Sequence, residues 1–404
     1  MTAELAPRPA HVPPERVYDF DYYNAPGSDR DVHRAWKRLH EEAPDIFWTP
    51  RYGGHWVVTR GEDLELMQMH YDRFSHRKYR IPYDPAMANE PMLPLAEDPP
   101  VSTPFRALIA PAFLPKVVAR LEEHVRDVAI KAIEEFLPRG ECEFVSEFAS
   151  VLPIVVFLEM MGLPLDNARW LLEQTEIGIR SNSIEKRAAA HAAIKGYLTR
   201  FTDERAANPG DDIISTIVAA EIDGRPITHA EVMGVCTLLM AGGLDTVTSM
   251  LGFVAWHLAR NPEQRRELIE HPELIRNAVE ELIRRYGLAN NVRMATHDFE
   301  YNGVQFKEGE QILIPTALYG LDERKVDDPL KVDFHREFPI PHAAFGNGVH
   351  TCPGATLARR ELRIFLEEWL KRIPDFQVKP GTTPVTACGG VNTVKELHLS
   401  WRAA

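Results

Sequence analysis

One segment, Thr228–Arg260, constrains the fold more than any other part of the 404-residue chain. Its apolar residues recur at helical spacing, Thr228 and Glu231 form a capping-box pattern at its start, and Asn261-Pro262 ends it. A helix of roughly 33 residues is ~50 Å long, so it crosses a whole domain and its middle is buried. The sequence therefore predicts a large, mainly helical protein built around one long central helix.

The middle of this helix departs from the composition of an ordinary buried helix. The stretch Ala241-Gly-Gly-Leu-Asp-Thr-Val-Thr-Ser249 holds two glycines, one acid and three hydroxyl side chains. Such departures are expected at functional sites, and we expect the helix to open locally beside the glycines. We therefore expect a functional site in this stretch. In an ordinary buried helix, the Thr246 hydroxyl would simply donate to the carbonyl four residues earlier.

Helical spacing extends over much of the remaining chain, and short β-strands are predicted near both ends. The predicted helices are 63–69, 105–113, 116–136, 144–172, 188–205, 272–286 and 355–372. Residues 55–59 predict a strand, and Tyr301-Asn-Gly303 predicts a hairpin turn. No Gly/Ser run or repeat divides the sequence, so we expect one domain over 1–404. Its first sixteen residues contain four prolines and are expected to be a flexible segment.

Composition excludes several classes of function. The formal net charge of −13 argues against nucleic-acid binding, which usually needs a basic surface. The four cysteines have no Cys-x-x-Cys spacing, so a zinc site is not expected, and their scatter is typical of a reduced, cytoplasmic protein. Neither a signal peptide nor a long uncharged apolar run is found, and we therefore expect no membrane anchor.

The segment Phe345-Gly-Asn-Gly-Val-His-Thr-Cys-Pro-Gly354 carries the clearest chemical signal. A single cysteine such as Cys352 is more often a small buried apolar residue than a ligand. Here, however, Gly346 and Gly348 allow a tight loop and the close approach of a flat molecule. A helix is predicted from Ala355, and backbone N–H groups at a helix start lower the pKa of a nearby thiol.

This segment resembles the haem-binding loop of the cytochromes P450, Phe-Gly-x-Gly-x-His-x-Cys-x-Gly. The resemblance implies that Cys352 is the proximal ligand of the iron of haem b, and that His350 contacts a haem propionate. Phe345, Gly346 and Gly354 would shape the loop around the cofactor. In that family the thiolate favours O–O bond cleavage.

Two further patterns support the resemblance. Glu281-Leu-Ile-Arg284 matches the Glu-x-x-Arg motif, which implies a structural ion pair beneath the haem. On its own, such a pair at helical spacing is more often a weak surface contact. Arg106 and Arg293 stand where the family has arginines that bind the propionates. As isolated arginines, each would more often be a solvated surface charge.

The stretch Ala241-Gly-Gly-Leu-Asp-Thr246 resembles the oxygen-activating segment of the same family. The resemblance implies that the Thr246 hydroxyl hydrogen-bonds dioxygen and that Asp245 relays protons from solvent. Well-placed proton transfer typically gives ~10²–10⁴-fold in rate.

The similarity extends along nearly the whole chain to the bacterial camphor hydroxylase group, whose fold is a single triangular helical domain with a small β region. The segments concerned are Tyr18-Asp-Phe-Asp21, Gly53-Gly-His-Trp56, Gly224-Arg-Pro-Ile-Thr228, Gly320-Leu-Asp-Glu-Arg324 and Leu357-Ala-Arg-Arg360. The resemblance implies a monomer that uses dioxygen and takes electrons from a [2Fe-2S] ferredoxin and its NAD(P)H-dependent reductase.

Departures from the camphor group concern the substrate. The predicted pocket residues are Leu238, Ala241, Ala289 and Val391, and the two alanines are smaller than the valines of the camphor enzymes. Where those enzymes have a tyrosine that binds the camphor ketone, the alignment places Glu90. We therefore expect a roomier pocket for a small hydrophobic substrate of the monoterpenoid or norisoprenoid class, rather than for camphor.

Two rival functions remain open at this point. A peroxide-driven haem-thiolate enzyme would not need the proton relay that Asp245 and Thr246 imply. A non-catalytic haem sensor or carrier would leave the polar centre of a long buried helix unexplained.

Overall fold

The computed structural model describes residues 5–85, 89 and 91–403. Glu90, for which the sequence predicted a place in the substrate pocket, lies outside the described residues.

Helices form most of the structure. Their bounds are α1 Val32–Lys37, α2 Leu39–Glu42, α3 Gly61–Met69, α4 Ser102–Ile109, α5 Pro115–Arg120, α6 Glu122–Phe136, α7 Val151–Met161, α8 Ala168–Arg180, α9 Ile184–Ala207, α10 Ile213–Val218, α11 His229–Arg260, α12 Pro262–Glu270, α13 Ile275–Arg285, α14 Thr316–Gly320 and α15 Ala355–Arg372. This confirms the mainly helical fold that the sequence predicted.

Short strands are spread along the chain and do not lie only near its two ends as predicted, since seven of the fourteen described strands lie between residues 141 and 315. Their bounds are β1 Ile46–Thr49, β2 His55–Val58, β3 Phe74–Ser75, β4 Glu141–Glu143, β5 Glu221–Ile222, β6 Arg225–Pro226, β7 Asn290–Ala295, β8 Phe299–Tyr301, β9 Val304–Phe306, β10 Gln311–Pro315, β11 Phe376–Val378, β12 Val385–Ala387, β13 Thr393–Glu396 and β14 His398–Trp401. The largest sheet has the order β1-β2-β10-β7-β3, and β2 and β10 are its parallel pair. A three-stranded sheet, β11-β14-β4, and three two-stranded pairs complete the β structure of the described residues.

The long helix α11 begins and ends as predicted. Thr228 is its N-cap, the capping box with Glu231 is formed in both directions, and the helix stops before Asn261. Among the described helices it alone is long and apolar enough to cross a membrane, and 72% of its most apolar stretch is buried inside the protein. It is therefore the core helix, and α7, α8, α9 and α15 pack around it.

Element bounds differ from the prediction where local geometry interrupts a helical pattern. The predicted helix 144–172 is divided because Gly162, with φ of +69°, ends α7 in the left-handed conformation and Pro164 follows. The predicted helix 116–136 is likewise divided into α5 and α6 at Leu121. The predicted hairpin is confirmed, because Asn302 and Gly303 both have positive φ between β8 and β9.

The described part of the N-terminal segment packs against the protein body, which differs from the flexible segment that the sequence predicted. Val12 is fully buried, and the Ala6 N–H donates to the Pro50 carbonyl at 2.8 Å. The four prolines were interpreted as a sign of mobility, but an apolar residue between them anchors the segment.

Candidate active site

The loop 345–354 brings Cys352 to the wall of a large cavity. Gly346 and Gly348 both have φ of +69°, a conformation that favours glycine. A Cβ at Gly348 would lie 3.0 Å from the Gln68 carbonyl oxygen, so the loop packs closely against the end of α3. The Cys352 N–H donates to the Phe345 carbonyl at 2.8 Å, and this hydrogen bond closes the loop just before α15.

The sulfur of Cys352 is placed to act as a ligand. Its exposed surface faces the cavity, although the residue lies deep in the protein. Burial raises the pKa of the thiol, whereas the Gly354 N–H, the charges of Arg106 and Arg359, and the Ala355 N–H lower it. The N–H groups at the start of α15 therefore lower the pKa of Cys352 as predicted, but by less than burial raises it. A metal ion bound to the sulfur would favour the thiolate outright.

Cys352 and the middle of α11 line one mostly apolar cavity of about 340 Å³. Thr246 and Gly242 belong to the α11 wall, and Leu357 belongs to the α15 wall. The other apolar side chains of the lining include Ile109, Phe113, Phe157, Val247, Met250, Leu288 and Leu362. A ligand of the sulfur in this space would be shielded from water over most of its surface.

Two arginines predicted to bind the cofactor lie on the wall of this cavity. Arg293 is 2% exposed, and its guanidinium donates to the Val292 carbonyl at 3.2 Å. Burial lowers its pKa to about 9, and the charge of Asp98 opposes this shift only in part. Arg106 donates to the Thr351 carbonyl, and burial lowers its pKa as well. A buried cation is costly, and a carboxylate bound in the cavity would reduce that cost.

His350 lines the same cavity beside two residues that the sequence analysis did not select as site residues. Its Nε2 lies 3.3 Å from Asp98 Oδ1, and its ring stacks on His76 with centroids 4.6 Å apart. Asp98 also accepts hydrogen bonds from the Ser75 hydroxyl and the His76 N–H. Burial lowers the pKa of both histidines, strongly for His76, while Asp98 opposes the shift at His350.

The centre of α11 stays helical, so the predicted local opening is wrong for this structure. The Thr246 hydroxyl donates to the Gly242 carbonyl at 2.8 Å, which is the alternative that the sequence left open. Thr246 nevertheless lines the cavity, and its oxygen keeps lone pairs that can accept a proton or a hydrogen bond.

The two glycines of α11 do not open the helix. One allows a neighbouring helix to pack closely, and the other faces the open space of the cavity. A Cβ at Gly243 would lie 2.4 Å from the Phe157 ring, so a glycine is required for α7 to approach α11 this closely. A Cβ at Gly242 would meet no heavy atom within 4 Å, because this position faces the cavity.

Asp245 points away from the cavity, toward the end of α8. Its two carboxylate oxygens accept hydrogen bonds from Arg180 at 2.6 and 2.7 Å, and both side chains are buried. Arg180 also donates to the Ser249 hydroxyl at 3.0 Å. Proton transfer between Asp245 and the cavity would therefore require this bidentate ion pair to open.

The four residues predicted to contact the substrate do not all line the same cavity. Leu238 and Ala289 line the cavity that contains Cys352. Ala241 lines a second cleft on the other side of α11. Val391 lines neither of these two spaces, but its backbone forms a β-bridge with Ala289 directly behind the wall.

Glu281 and Arg284 form a buried ion pair rather than the weak surface contact that was the alternative. Both side chains have no exposed surface, and two guanidinium nitrogens of Arg284 donate to the two carboxylate oxygens at 2.7 Å each. Arg336 joins the pair by donating to Glu281 at 2.9 Å. The motif therefore holds α13 to the segment that precedes the thiolate loop.

Glu361 is a further cavity residue that the sequence analysis missed. It lies on α15, lines the cavity and is 1% exposed. Burial raises its pKa to about 8, so its carboxyl group is largely neutral at pH 7. A buried acid at a core position of an amphipathic helix was the available signal, because a core-facing glutamate breaks the apolar stripe.

Haem b fits these residues. The thiol of Cys352 offers an iron ligand, the buried Arg293 and the partly buried Arg106 suit the two propionates, and the apolar walls suit a porphyrin ring. A mainly helical fold with a cysteine in a glycine-rich loop, facing a central helix across one cavity, defines a haem-thiolate protein.

Comparison with known proteins identifies the family. A family model described as Cytochrome P450 matches residues 174–393. The chain is 35% identical over 405 residues to the probable cytochrome P450 127A1 of Sinorhizobium fredii. That alignment covers 98% of this chain and 97% of the relative. The crystal structures of CYP101J2 and CYP101C1 match with TM-scores of 0.89 and 0.88 and identities of 34% and 37%, over 98% of this chain and 100% of each of theirs. The chain belongs to the cytochrome P450 family.

Family membership establishes the cofactor and the type of reaction. The cofactor is haem b, and the protein is a haem-thiolate monooxygenase. Its structural likeness to CYP101 proteins agrees with the resemblance to the camphor hydroxylase group that the sequence motifs indicate.

Proposed function

We propose that this monooxygenase hydroxylates a small hydrophobic substrate of the monoterpenoid or norisoprenoid class. The observation that carries the proposal is that Cys352 and Thr246 line one mostly apolar cavity. In the reaction, one C–H bond and one dioxygen molecule, with two electrons and two protons, give one C–OH group and one water molecule. When bound through the thiolate, haem supplies the O–O bond cleavage.

The side chains of the cavity hold the substrate by apolar contact. Leu238, Ala289 and Val247 supply such contacts beside Thr246. At ~25 cal/mol per Å², burying roughly 300 Å² of apolar surface contributes about 7.5 kcal/mol before association costs. Shape and apolar contact are therefore sufficient for useful binding, and one hydrogen bond adds only ~1 kcal/mol and chiefly orients the molecule.

Thr246 and Asp245 are the residues proposed to deliver protons. The Thr246 hydroxyl lies in the cavity, where it can donate to or accept from oxygen, and the carboxylate of Asp245 is one residue away on α11. The ion pair with Arg180 keeps Asp245 out of the cavity until it opens.

We further propose that electrons come from a [2Fe-2S] ferredoxin with an NAD(P)H-dependent reductase, since the sequence has no Gly-rich dinucleotide fingerprint. Arg359, which forms an ion pair with Glu280, lies beside the thiolate loop. The guanidinium of Arg359 is 4.4 Å from the centre of the Phe345 ring, and the Phe345 carbonyl accepts from the Cys352 N–H. Lys116 and Arg120 on α5 are exposed, and α5 packs on α15. An acidic ferredoxin docked there would reach the thiolate through a short path of contacts.

The remaining proposals concern the setting of the reaction. A single domain is supported by one hydrophobic cluster that contains side chains from Val12 to Leu399, and we propose that the protein is a monomer. A reducing, cytoplasmic environment is supported by the four cysteines, all of them free. The net charge of −13 supports the absence of a nucleic-acid partner.

Substituting the proposed ligand tests the function. Cys352→Ser removes the thiolate, so the reduced protein with carbon monoxide should lose the Soret band typical of thiolate ligation, and product formation should cease. Cys388→Ser is the matched control, because Cys388 is a buried free cysteine that lines neither cavity described above. An unchanged spectrum for Cys352→Ser, or a band typical of histidine ligation in the unaltered protein, would remove the basis of the proposal.

The two rival functions give different results in the same assays. A peroxide-driven enzyme would form product with hydrogen peroxide alone, at the rate obtained with ferredoxin and reductase. A haem sensor or carrier would give no product under full reconstitution with any terpenoid or ionone-like ketone. The apolar, Thr246-lined cavity favours the monooxygenase over both.

A further inference from the structure

His76 is a buried histidine on the wall of the haem cavity, and neither the sequence motifs nor the proposed reaction uses it. It directly follows β3, which pairs antiparallel with β7 so that Ser75 lies opposite Met294. The next position in this register places His76 beside Arg293, which lines the same cavity. The residue is 3% exposed, so its ring is shielded from bulk water although it lines the cavity.

The hydrogen bonds of His76 fix which of its ring nitrogens carries the proton. Nδ1 lies 2.8 Å from the Leu95 carbonyl oxygen, which can only accept, so Nδ1 is the donor. In a neutral ring Nε2 is then an unprotonated acceptor. Within the part of the chain that the structure describes, Nε2 has no hydrogen-bond partner. An unpartnered polar atom on a buried side chain that lines a cavity indicates that a bound group completes it.

The groups around His76 disfavour a positive charge on its ring. The ring stacks on that of His350 with centroids 4.6 Å apart, and the ring of Tyr79 lies nearly parallel at 6.4 Å. Asp98 accepts from the His76 N–H at 3.1 Å and lies 3.3 Å from Nε2 of His350. Burial and the charges of Arg293 and His350 hold the pKa of His76 well below its ordinary value, so the surrounding protein groups alone keep the ring neutral.

The two propionates of haem change the charge balance of this wall. Arg293 and Arg106 supply two positive charges, and the charge of Asp98 already offsets part of them. With a neutral His76, one negative charge is therefore in excess, and the lone pair of Nε2 repels a carboxylate. A proton on Nε2 replaces this repulsion with a charge-assisted hydrogen bond and balances the charges.

We infer that His76 is a haem-positioning residue, which donates from Nε2 to a propionate and is an imidazolium in the haem-loaded protein. Binding of haem then takes up one proton at this ring, and the protein holds haem less firmly when the ring is deprotonated. His76 acts beside Arg293, Arg106 and His350, for which the sequence motifs imply propionate contacts. The inference concerns the cofactor and does not depend on which substrate is oxidised.

Nitrogen NMR of the haem-loaded protein tests the protonation directly. The ferrous carbon monoxide complex is diamagnetic, and labelled histidine nitrogens show whether one or both atoms of each ring carry a proton. The pair of resonances that is absent in His76→Gln, or in His76→Phe if the first variant does not fold, belongs to His76. Both of its nitrogens should be protonated near neutral pH. A His76 ring whose Nε2 is unprotonated throughout roughly pH 6–9 would overturn the inference.

Transfer of haem to an excess of apomyoglobin measures how firmly each variant holds the cofactor. His76→Gln should lose haem about tenfold or more faster near neutral pH, because a charge-assisted hydrogen bond is removed. Loss from the unaltered protein should accelerate as pH rises toward about 9 and approach the rate of His76→Gln, whose own rate should change little. His76→Arg keeps a positive charge throughout this range and should recover part of the slow loss.

Two further variants separate the charge of His76 from its packing. His76→Phe keeps an aromatic ring against His350 but has no donor, so it should lose haem as fast as His76→Gln. His55→Gln is the matched control, because His55 is likewise buried, donates through Nδ1 to the Arg51 carbonyl at 3.2 Å and lines neither the haem cavity nor the second cleft. It should hold haem like the unaltered protein at every pH.

The outcomes distinguish a charged contact from simple packing. If His76→Phe holds haem as firmly as the unaltered protein, or if haem loss from the unaltered protein does not depend on pH, the ring acts by packing alone and the inference fails. Fast loss in both uncharged variants, with partial recovery in His76→Arg, would support it. Product formation, which tests the proposed hydroxylation, does not enter either result.

Discussion

At the scale of single residues, Glu361 places a carboxyl group in the wall of the haem cavity. Burial raises its pKa to about 8 from a usual value near 4.5. Between these two pH values the unfolded chain releases the proton and the folded protein keeps it, so the contribution of Glu361 to stability is full below pH 4.5 and is lost as pH rises toward 8.

The isosteric variant Glu361→Gln should not show this loss of folding stability as pH rises from 4.5 to 8. We expect it to match the unaltered protein near pH 5 and to exceed it near pH 8.5, by up to about 4 kcal/mol in the free energy of unfolding. Denaturant titrations at both pH values measure the difference. Glu368→Gln is the control on the same helix, because ion pairs with Arg126 and Arg372 lower the pKa of Glu368 despite its burial, so this variant should be the less stable one at pH 8.5. A pH profile for Glu361→Gln parallel to that of the unaltered protein would refute the prediction.

The Thr246 hydroxyl gives a second prediction at this scale. In Thr246→Ala the cavity loses this hydroxyl, so reductant should be consumed with much less product, and the rate of productive oxygen transfer should fall by about 10²-fold or more. The ratio of product to NAD(P)H consumed measures this coupling.

Thr248→Ala is the matched control for Thr246→Ala. The Thr248 hydroxyl donates to the Leu244 carbonyl at 2.9 Å, the same type of bond that Thr246 makes, but it is buried and does not line the cavity. Coupling that falls equally in the two variants would show that the effect belongs to the helix and not to the hydroxyl in the cavity.

At the scale of elements, the two adjacent glycines of α11 have different reasons for being glycine. Gly243 allows the Phe157 ring of α7 to touch the helix backbone, and Gly242 faces open cavity space. The sequence pattern alone predicted a helix opening for both, because a glycine pair weakens a helix wherever it lies. Which neighbour approaches each glycine depends on the docking of α7, which is a tertiary contact.

Alanine substitutions should separate these two reasons. Gly243→Ala should lower the free energy of unfolding by about 1–3 kcal/mol, because its Cβ would overlap a ring that cannot easily move. Gly242→Ala should leave stability unchanged or raise it by up to about 1 kcal/mol through its higher helix propensity. Denaturant titration of the two haem-loaded variants measures the difference, and equal stabilities would contradict the assigned packing.

At the scale of the whole molecule, the pair Glu281–Arg284 joins distant parts of the chain. Besides its bidentate contact with Glu281, Arg284 donates to the carbonyls of Gly320, Pro329 and Lys331 at 2.5 to 2.8 Å. It thereby fixes the segment that leads from α14 to the thiolate loop against α13.

Removing one partner of this pair should destabilise the whole fold. In Glu281→Gln the buried guanidinium of Arg284 loses its counterion, at a cost of about 3–5 kcal/mol, and haem retention should fall with it. Glu204→Gln breaks a surface pair with Arg205 and should cost less than about 1 kcal/mol. Thermal unfolding and the haem content after gel filtration measure the two effects. A Glu281→Gln protein as stable as Glu204→Gln would mean that the network is not structural.

The sequence by itself determined the features that depend on local chemistry. The capped helix α11, the hairpin at Asn302-Gly303 and the loop around Cys352 follow from residue types at fixed spacing, since caps, positive φ and a glycine-rich loop are set within a few residues. The family, the cofactor and the identity of the candidate ligand come from these same local patterns.

Only the tertiary structure decided how distant residues meet. In the folded protein, Asp245 forms an ion pair with Arg180 and does not face the cavity. His76 and Asp98 lie beside His350, and Ala241 lines a separate cleft. Each of these contacts joins elements far apart in the chain, and the side of a helix that a neighbour covers is fixed by packing rather than by spacing along the sequence. The raised pKa of Glu361 likewise arises from burial, a property of the assembled fold.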